Sequence, residues 1–301
     1  MVRSFILVLV GVALDLGQAL SADPYSGPDF NELVRKVDPL TPSESLKAFA
    51  VPDGFEMELV AASPDIGQPM NLAFDKHGRL WVSSTLEYPY PASPDRKGRD
   101  TIKVFEDTTG DGRYDKISTF ADGLNIPTGV YPYKDGVIAW SIPNIWFLRD
   151  TDGDGRADKR TKLYGPLGYE RDTHGMQSSF TRGLDGWLHI THGYNNTTTV
   201  NAADGSSIKM NSGNTYRVQL DGSRVQQFTF GQVNPFGMCL DAYGNFYTAD
   251  CHSSPIYQLI RDAYYPSFGK PHDGMGFAPL VIRHNHDSTG LCGIVFNQST
   301  H

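Results

Sequence analysis

The stretch Asn71-Leu-Ala-Phe-Asp-Lys-His-Gly-Arg-Leu-Trp-Val82 decides the fold of this chain. An apolar run, a turn that ends on glycine and a second apolar run predict two antiparallel strands joined by a hairpin. The pattern recurs about every 50 to 60 residues, in Gly129–Trp140, Ser178–Ile190 and Gly237–Thr248. The expected turn glycines are Gly78, Gly136, Gly186 and Gly244.

This repeat predicts an all-β fold, a β-propeller of the six-bladed type. Each copy supplies two strands and leaves room for two more, which together make a four-stranded blade. A fifth copy begins at Gly290–Phe296, and the sequence stops at His301. We therefore expect the chain to end within the fifth blade, as a truncated ring with open sheet edges. A β-sandwich with irregular hairpins is the alternative, which the regular spacing disfavours.

The N-terminus has the features of an export signal. Arg3 precedes the apolar run Phe5–Leu14, and small residues follow up to Ala22, which predicts a signal peptide over residues 1–22 and an exported, periplasmic or cell-surface protein. Residues 23–50 are expected to form an arm, with a short helix after the capping box Thr41-Pro-Ser-Glu44. The propeller is expected over residues 51–301, starting near Gly54–Val60, with a second short helix near Ile256–Ala263.

Composition and charge narrow the class of protein. Hydrophobic residues make up 39% and charged residues 20% of the chain, as in ordinary globular proteins. The net charge of -8 disfavours nucleic acid as a partner, since phosphate binding needs excess Lys and Arg. Past the signal segment, no stretch is apolar enough to span a membrane. The three cysteines, Cys239, Cys251 and Cys292, are too few and too widely spaced for a disulfide framework, and the sequence does not decide which two of them could pair. Because the chain has no Cys-x-x-Cys-His motif, no c-type haem is expected in it.

With the repeat laid out, the chain resembles a known group of proteins. Gly54–Val60, Leu72–Val82, the Asp-Gly-Asp-Gly-Arg loop, Asn234–Gly237 and Tyr264–Gly274 resemble large exported planctomycete and verrucomicrobial proteins described as membrane-bound dehydrogenases. These are similar to soluble quinoprotein glucose/sorbosone dehydrogenases. The resemblance implies a propeller whose partner is a downstream haem-binding or helical-repeat module of the full-length protein.

The resemblance also implies a site at the starts of the inner strands. His174 stands where the sugar dehydrogenases have a histidine general base, and histidine suits that role because its pKa is close to neutral. Thr128 and Asn234 occupy matching points of other blades and are candidates to bind substrate or cofactor. A pocket-lining role for His174 is the alternative.

One position departs from the pattern of the family. The sugar dehydrogenases have Gly-x-Arg-Asn-Pro before a later inner strand, whereas this chain has Gly231-Gln-Val-Asn-Pro235. Val233 replaces an arginine that would pair with the anionic oxygens of pyrroloquinoline quinone (PQQ). The departure places PQQ binding in doubt.

Two acidic loops are candidate calcium sites. Asp150, Asp152, Asp154 and Asp158 have the spacing 1, 3, 5 and 9 with glycine at position 6, which suits a loop wrapped around Ca²⁺. Asp107, Asp111 and Asp115 form a weaker copy with Thr109 at position 3. Neither loop has a glutamate at position 12, so both are also consistent with simple hairpin turns. The expected role of the ion is structural.

Two further sets of residues are weaker candidates. His284 and His286 lie on one face of an expected strand and, with His252 or Asp287, are candidates for substrate or transition-metal binding. Tyr88 follows the second strand of the first repeat and is placed to stack on a sugar ring, or to pack in its loop.

The sequence favours an exported oxidoreductase domain that acts on a sugar or related alcohol and passes electrons to a haem module absent from this chain. A non-catalytic propeller that binds carbohydrate or protein is the alternative.

Overall fold

The computed structural model describes residues 38–251, 256–267, 278, 280–282 and 290–297. The chain divides into two compact units, Met1–Leu59 and Val60–His301. The expected signal peptide lies outside the described residues. Within the described part of the chain, no helix is long and apolar enough to cross a membrane.

The described part of the first unit contains one short helix, α1, over Pro42–Ala48. The capping box expected at its start is present, since Glu44 N–H donates to Thr41 Oγ1 at 3.3 Å and Thr41 N–H donates to the Glu44 carboxylate at 2.9 Å. This helix buries none of its residues, so local capping rather than core packing defines it.

In its described residues, the second unit contains four blade sheets that follow one another along the chain and a separate two-stranded sheet. Blade 1 contains β1 (Gln68–Phe74), β2 (Leu80–Thr85), β3 (Asp100–Glu106) and β4 (Lys116–Leu124). Blade 2 contains β5 (Val130–Tyr133), β6 (Gly136–Ser141), β7 (Asn144–Arg149) and β8 (Lys159–Tyr164). Within both blades each strand pairs antiparallel with the next.

The third and fourth sheets repeat this order with additions. Blade 3 contains β9 (Gln177–Arg182), β10 (Leu188–His192), β13 (Asn214–Val218) and β14 (Val225–Gly231), and β18 (Tyr264–Tyr265) joins its edge. The hairpin β11 (Thr197–Asn201) and β12 (Ser207–Asn211) is inserted between β10 and β13. Blade 4 contains β15 (Pro235–Leu240), β16 (Phe246–Asp250), β17 (Ile256–Leu259) and β19 (Leu280–Ile282).

The first strands of the blades lie side by side, β1 beside β5, β5 beside β9 and β9 beside β15. Four-stranded antiparallel sheets arranged with their first strands around a common centre are a β-propeller, which confirms the expected all-β propeller architecture and rules out the β-sandwich. Apolar residues fill the spaces between neighbouring blades. Trp81, Ile102 and Phe120 of blade 1 pack with Val137 and Leu148 of blade 2.

The turns of the repeat are formed as expected at three of the four glycines. Gly78, Gly186 and Gly244 have φ values of 78, 83 and 85°, which glycine adopts without strain. Gly136 is different, because the positive φ of that hairpin lies at Lys134 (52°) and Gly136 is the first residue of β6. A Cβ at Gly136 would overlap the carbonyl oxygen of Leu148, so close packing explains this glycine.

The first strand among the described residues begins at Gln68. Two local expectations were wrong. The helix expected near Ile256–Ala263 is instead β17, which pairs with β16 and buries Tyr257 and Leu259; pairing with a sheet outweighed local propensity. Residues 290–297 carry no strand, although Gly293 N–H donates to Phe236 O at 3.0 Å beside β15.

Candidate functional site

The first two strands of each blade are antiparallel. The start of the first strand and the end of the second therefore lie at the same end of the propeller. We call this end the upper face. It collects the segments 85–90, 172–177, 192–194, 233–235 and 250–251 from three blades.

His174 lies on the upper face just before β9, with 60% of its side chain exposed. Its Nδ1 is 3.0 Å from Oδ1 of Asp172, and its backbone N–H donates to the same oxygen at 2.7 Å. An ionised carboxylate only accepts hydrogen bonds, so Asp172 favours the tautomer with the proton on Nδ1. Nε2 then carries the free lone pair.

Tyr88 brings blade 1 against this histidine. Its ring meets the His174 imidazole edge-on, with 5.2 Å between ring centroids. Thr173 Oγ1 donates to Pro89 O at 2.6 Å and ties the two loops together. Burial, with the nearby Asp172 and Cys251, raises the pKa of Tyr88, so its hydroxyl stays protonated at neutral pH.

Asn234 adjoins the same region, but its amide is already engaged. Oδ1 accepts the Tyr194 N–H at 3.0 Å, and Nδ2 donates to Cys251 Sγ at 3.2 Å. The residue is 5% exposed. The structure therefore shows Asn234 joining the β10 and β16 loops rather than presenting a free amide.

Thr128 is placed differently from the other candidates. It is 2% exposed, and its hydroxyl donates to Gln177 O at 2.6 Å, where it links the start of blade 2 to the start of blade 3. The structure thus brings together Tyr88, His174 and Asn234, whereas Thr128 lies beneath the surface.

Val233 is completely buried. Its N–H donates to Asp250 Oδ2 at 2.9 Å, and the N–H of Asn234 donates to Oδ1 at 2.8 Å. The buried Asp250 carboxylate thus fixes the backbone of the segment in which the sugar dehydrogenases have an arginine. A side chain at position 233 packs inside the propeller.

The sequence interpretation missed Asp172, Asp250 and Cys251. Asp172 lies two residues before His174 in Asp-Thr-His, a spacing typical of a side chain that caps the next backbone N–H, and this signal could have identified it. The half-buried Cys251 has no such local signal. Burial raises the pKa of its thiol, so the thiolate is disfavoured at neutral pH.

A cavity of about 590 Å³ lies between the first strands of the four blades and residues 292–295. Its lining is mainly apolar and includes Met70, Leu72, Phe180, Phe236 and Met238. The central cavity therefore favours apolar groups, and the polar groups described above lie on the upper face, outside its lining.

The two acidic loops are the outer hairpins that connect β7 to β8 and β3 to β4. They have a common hydrogen-bond pattern. Asp150 accepts the N–H groups of Gly153 and Gly155, and Asp107 accepts those of Gly110 and Gly112. Asp158 and Asp115 each accept from the threonine that follows the first aspartate.

The loops differ in how their carboxylates converge. Oxygens of Asp150, Asp152 and Asp158 lie within 4.8 Å of one another. Asp154 is outside this group, and its Oδ1 accepts the Arg156 N–H at 2.8 Å. Among the described residues, Asp107, Asp111 and Asp115 form no such group, because Thr109 stands at the third position. His284, His286, His252 and Asp287 lie outside the described residues.

Comparison with curated proteins gives no match. Among solved structures, the chain is similar to the PQQ-bound form of the aldose sugar dehydrogenase from Streptomyces coelicolor, with 17% identity, a TM-score of 0.53 and coverage of 79% of this chain and 74% of that one. It is also similar to the PQQ domain of the pyranose dehydrogenase from Coprinopsis cinerea, with 14% identity, a TM-score of 0.46 and coverage of 73% and 50%. It is similar as well to an oxidoreductase described as a glucose dehydrogenase from Thermus thermophilus, with 16% identity, a TM-score of 0.45 and coverage of 72% of this chain and 70% of that one.

The first of these likenesses supports the propeller fold and, at this level of identity, the fold alone. The sequence itself matches a family model over residues 41–286, which covers most of the chain. The chain therefore belongs to the family described as domain of unknown function DUF7133.

Proposed function

We propose that the upper face is the active site of an oxidoreductase that acts on a hydroxyl group of a sugar or related alcohol. The observation that carries this proposal is the pair His174 and Asp172. The imidazole is exposed, oriented through Nδ1 and left with a free Nε2. This is the arrangement of a general base held by a carboxylate.

The chain's own residues account for the proton half of such a reaction. When an alcohol is oxidised to a carbonyl, its O–H proton leaves as the C–H hydrogen departs with two electrons. His174 Nε2 accepts the proton, and the Asp172 carboxylate stabilises the imidazolium that forms. Tyr88 bounds the site with its ring and keeps a protonated hydroxyl as a hydrogen-bond donor.

The residues do not fit PQQ as the resemblance implies. PQQ would supply the two-electron acceptor, but the position of the arginine for its anionic oxygens is held by a fully buried valine. The backbone on either side is bound to Asp250. We therefore assign no step to this quinone.

A second candidate is a non-catalytic propeller that binds carbohydrate or another protein. Two observations favour it, the burial of Val233 and the mainly apolar lining of the central cavity. In that case His174 and Tyr88 hold a ligand without transferring its proton.

We further propose that the protein is exported, that its propeller is of the six-bladed type, and that a haem module of the full-length protein receives the electrons. These proposals rest on the charged and apolar pattern of residues 1–22, on the repeat spacing and on the resemblance.

We also propose a structural Ca²⁺ at the Asp150 loop. Carboxylate oxygens are the donors that Ca²⁺ prefers, and Asp150, Asp152 and Asp158 bring three of them together. The Asp107 loop is a weaker proposal, since it lacks the middle carboxylate.

Turnover with a dye as final acceptor separates the two functions. The protein is incubated with a panel of aldoses and polyols, an artificial electron acceptor and Ca²⁺, with and without added PQQ. Dye reduction that needs both protein and sugar supports the oxidoreductase, and its cofactor requirement identifies the acceptor. Sugar binding by calorimetry without dye reduction in any arm supports the binding module and contradicts the oxidoreductase.

A further inference from the structure

A cavity of about 390 Å³ lies between blades 1 and 2, within the size range of ligand pockets. We call it the inter-blade cleft. Its lining comes from the loop 92–98, the end of β4, the turn after β6, and the outer strands of blade 2. The residues that matter here are Asn125, Trp146, Tyr169 and the cations Arg96, Lys97 and Arg160.

Positive charge is in excess along one wall of this cleft. Lys97, Arg156 and Arg160 all share the single carboxylate of Asp122, at 3.0, 3.4 and 3.7 Å. Arg156 belongs to the acidic Asp150 loop, so the excess on this wall is the one charge by which Lys97 and Arg160 outnumber Asp122. The remaining charge attracts an anion across the partly exposed surface.

The other wall has no excess of cations. Arg96 and Arg99 share the Glu87 carboxylate at 2.6 and 2.9 Å. The exposed Asp95 adds one negative charge beside Arg96. The buried Asp100, the remaining carboxylate near Arg96, is occupied by the N–H groups of Leu86, Glu87 and Ile126.

Lys162 lies on the same face of β8 as Arg160, because side chains alternate along a strand. Apart from Arg156, the two walls carry five cationic side chains and the four carboxylates of Glu87, Asp95, Asp100 and Asp122. Among the described residues that line the cleft itself, Arg96, Lys97 and Arg160 are cationic and none is acidic. These three lining cations belong to a chain whose net charge is -8.

The cleft also offers aromatic surface. Trp146 and Tyr169 are half-buried in its lining. Trp146 Nε1 donates to Ser141 O at 3.1 Å, which fixes the indole ring. A flat aromatic ring packs against the C–H face of a sugar ring. The aromatic residues therefore favour an anion that carries a sugar ring, whereas cations without them bind any small anion.

The walls are held in place without a ligand. Asn125 Oδ1 accepts the Ala92 N–H at 2.9 Å, and Asn125 Nδ2 donates to Ala92 O at 3.3 Å. Gly98 approaches the Leu124 carbonyl so closely that a Cβ would overlap it. A preformed cleft loses little conformational entropy on binding.

We propose that the inter-blade cleft binds an acidic sugar, a uronic acid or sulfated residue of an anionic glycan. Arg160, Lys97 and Arg96 receive the carboxylate or sulfate group, and Trp146 and Tyr169 contact the sugar ring. The proposal is independent of the oxidoreductase, since neither His174 nor Asp172 lines the cleft.

Calorimetric titration of the whole chain with trigalacturonate, sulfated galactobiose, neutral galactotriose and inorganic sulfate tests this. We expect binding of one or both acidic sugars, weaker binding as NaCl is raised, and no binding of galactotriose. Arg160→Glu and Lys97→Glu should each weaken binding about tenfold or more.

Lys159→Glu is the matched control, because it makes the same charge change as Arg160→Glu on the opposite face of β8, where Lys159 pairs with Arg149. It should leave the affinity within about twofold. Circular dichroism melting confirms that each variant is folded. Equal loss from Lys159→Glu and Arg160→Glu, binding of galactotriose as tight as that of the acidic sugars, sulfate binding as tight as sugar binding, or no binding at all would each overturn the proposal.

Discussion

His174 Nδ1 lies 3.0 Å from Asp172 Oδ1 on the upper face of the propeller. The carboxylate also accepts the His174 backbone N–H, so one side chain fixes both the backbone and the imidazole of its neighbour. This relationship distinguishes a base with a defined tautomer from a histidine that merely lines a loop.

Replacing His174 by alanine is expected to lower dye-reduction kcat/KM about 10²- to 10⁴-fold, because the proton acceptor is lost. Asp172→Asn should lower it less and shift the pH profile, since the imidazolium loses its ionic partner. Steady-state kinetics across pH measure both. His77→Ala, at an exposed histidine in the β1–β2 turn, is the control, and unchanged turnover in His174→Ala would remove the assigned role.

The ion pairs of Glu87 are expected to make the stability of the folded protein fall more steeply in acid than it would without them. The hydrogen bond from Arg96, against the effect of burial and with help from Arg99, lowers the pKa of Glu87 from 4.5 to about 2. A carboxyl whose folded-state pKa is lowered stabilises the fold above its unfolded pKa, and this contribution is lost as pH falls from about 4.5 to about 2.

Glu87→Gln should therefore reduce the free energy of unfolding at pH 7 by about 3 kcal/mol, and the difference from wild type should shrink through that acid range. Urea unfolding at several pH values measures it. Glu58→Gln, at an exposed glutamate of the first unit, supplies the baseline. A difference that stays constant down to the lowest pH would contradict the ion-pair explanation.

Chelation tests the Asp150 loop. Removing Ca²⁺ should lower the melting temperature by about 3–8 °C, since a ligand that binds only the folded state stabilises it. Asp152→Asn should abolish this sensitivity, because Asp152 belongs to the converging group.

Asp154→Asn is the matched control, because it makes the same chemical change in the same loop at a carboxylate outside the converging group. It should leave most of the chelator effect in place. Melting curves with EGTA and with added CaCl₂ give the answer. If EGTA changes nothing in the wild type, the loop is an ordinary hairpin turn.

Introducing the arginine that the sugar dehydrogenases have at this position should not create quinone binding. Val233→Arg buries a charge at a completely buried position and is expected to destabilise the fold by about 3–5 kcal/mol. Val233→Leu, which adds volume without charge, should cost about 1–3 kcal/mol. Denaturant unfolding and PQQ titration measure both, and tight PQQ binding by a folded Val233→Arg would show that position 233 reaches the cofactor.

Much of the blade structure could be predicted because it is local. Alternating apolar residues around Asp-x-x-Gly and Asp-Gly turns encode a hairpin within about a dozen residues. The capping box at Thr41 is local in the same way. Where neighbours in space decided the outcome, prediction failed, as at Gly136, which is needed for packing against Leu148, and at Ile256–Leu259, which pair with β16.

The candidate site was only partly predictable for the same reason. His174 was identified from the resemblance to the sugar dehydrogenases, and Asp172 could have been identified by its spacing from that histidine. Nothing near Tyr88 in sequence indicates that it meets His174, and nothing near Asn234 indicates that its amide is bound to Tyr194 and Cys251.

The sequence by itself determined the hairpins, their repetition and hence a propeller, because turn chemistry and strand alternation act between near neighbours in the chain. Only the tertiary structure decided which polar groups meet on the upper face, that Val233 is buried, and that cations from two blades line one cleft. Those relationships depend on packing between blades, where contacting residues are tens of positions apart and leave no local pattern.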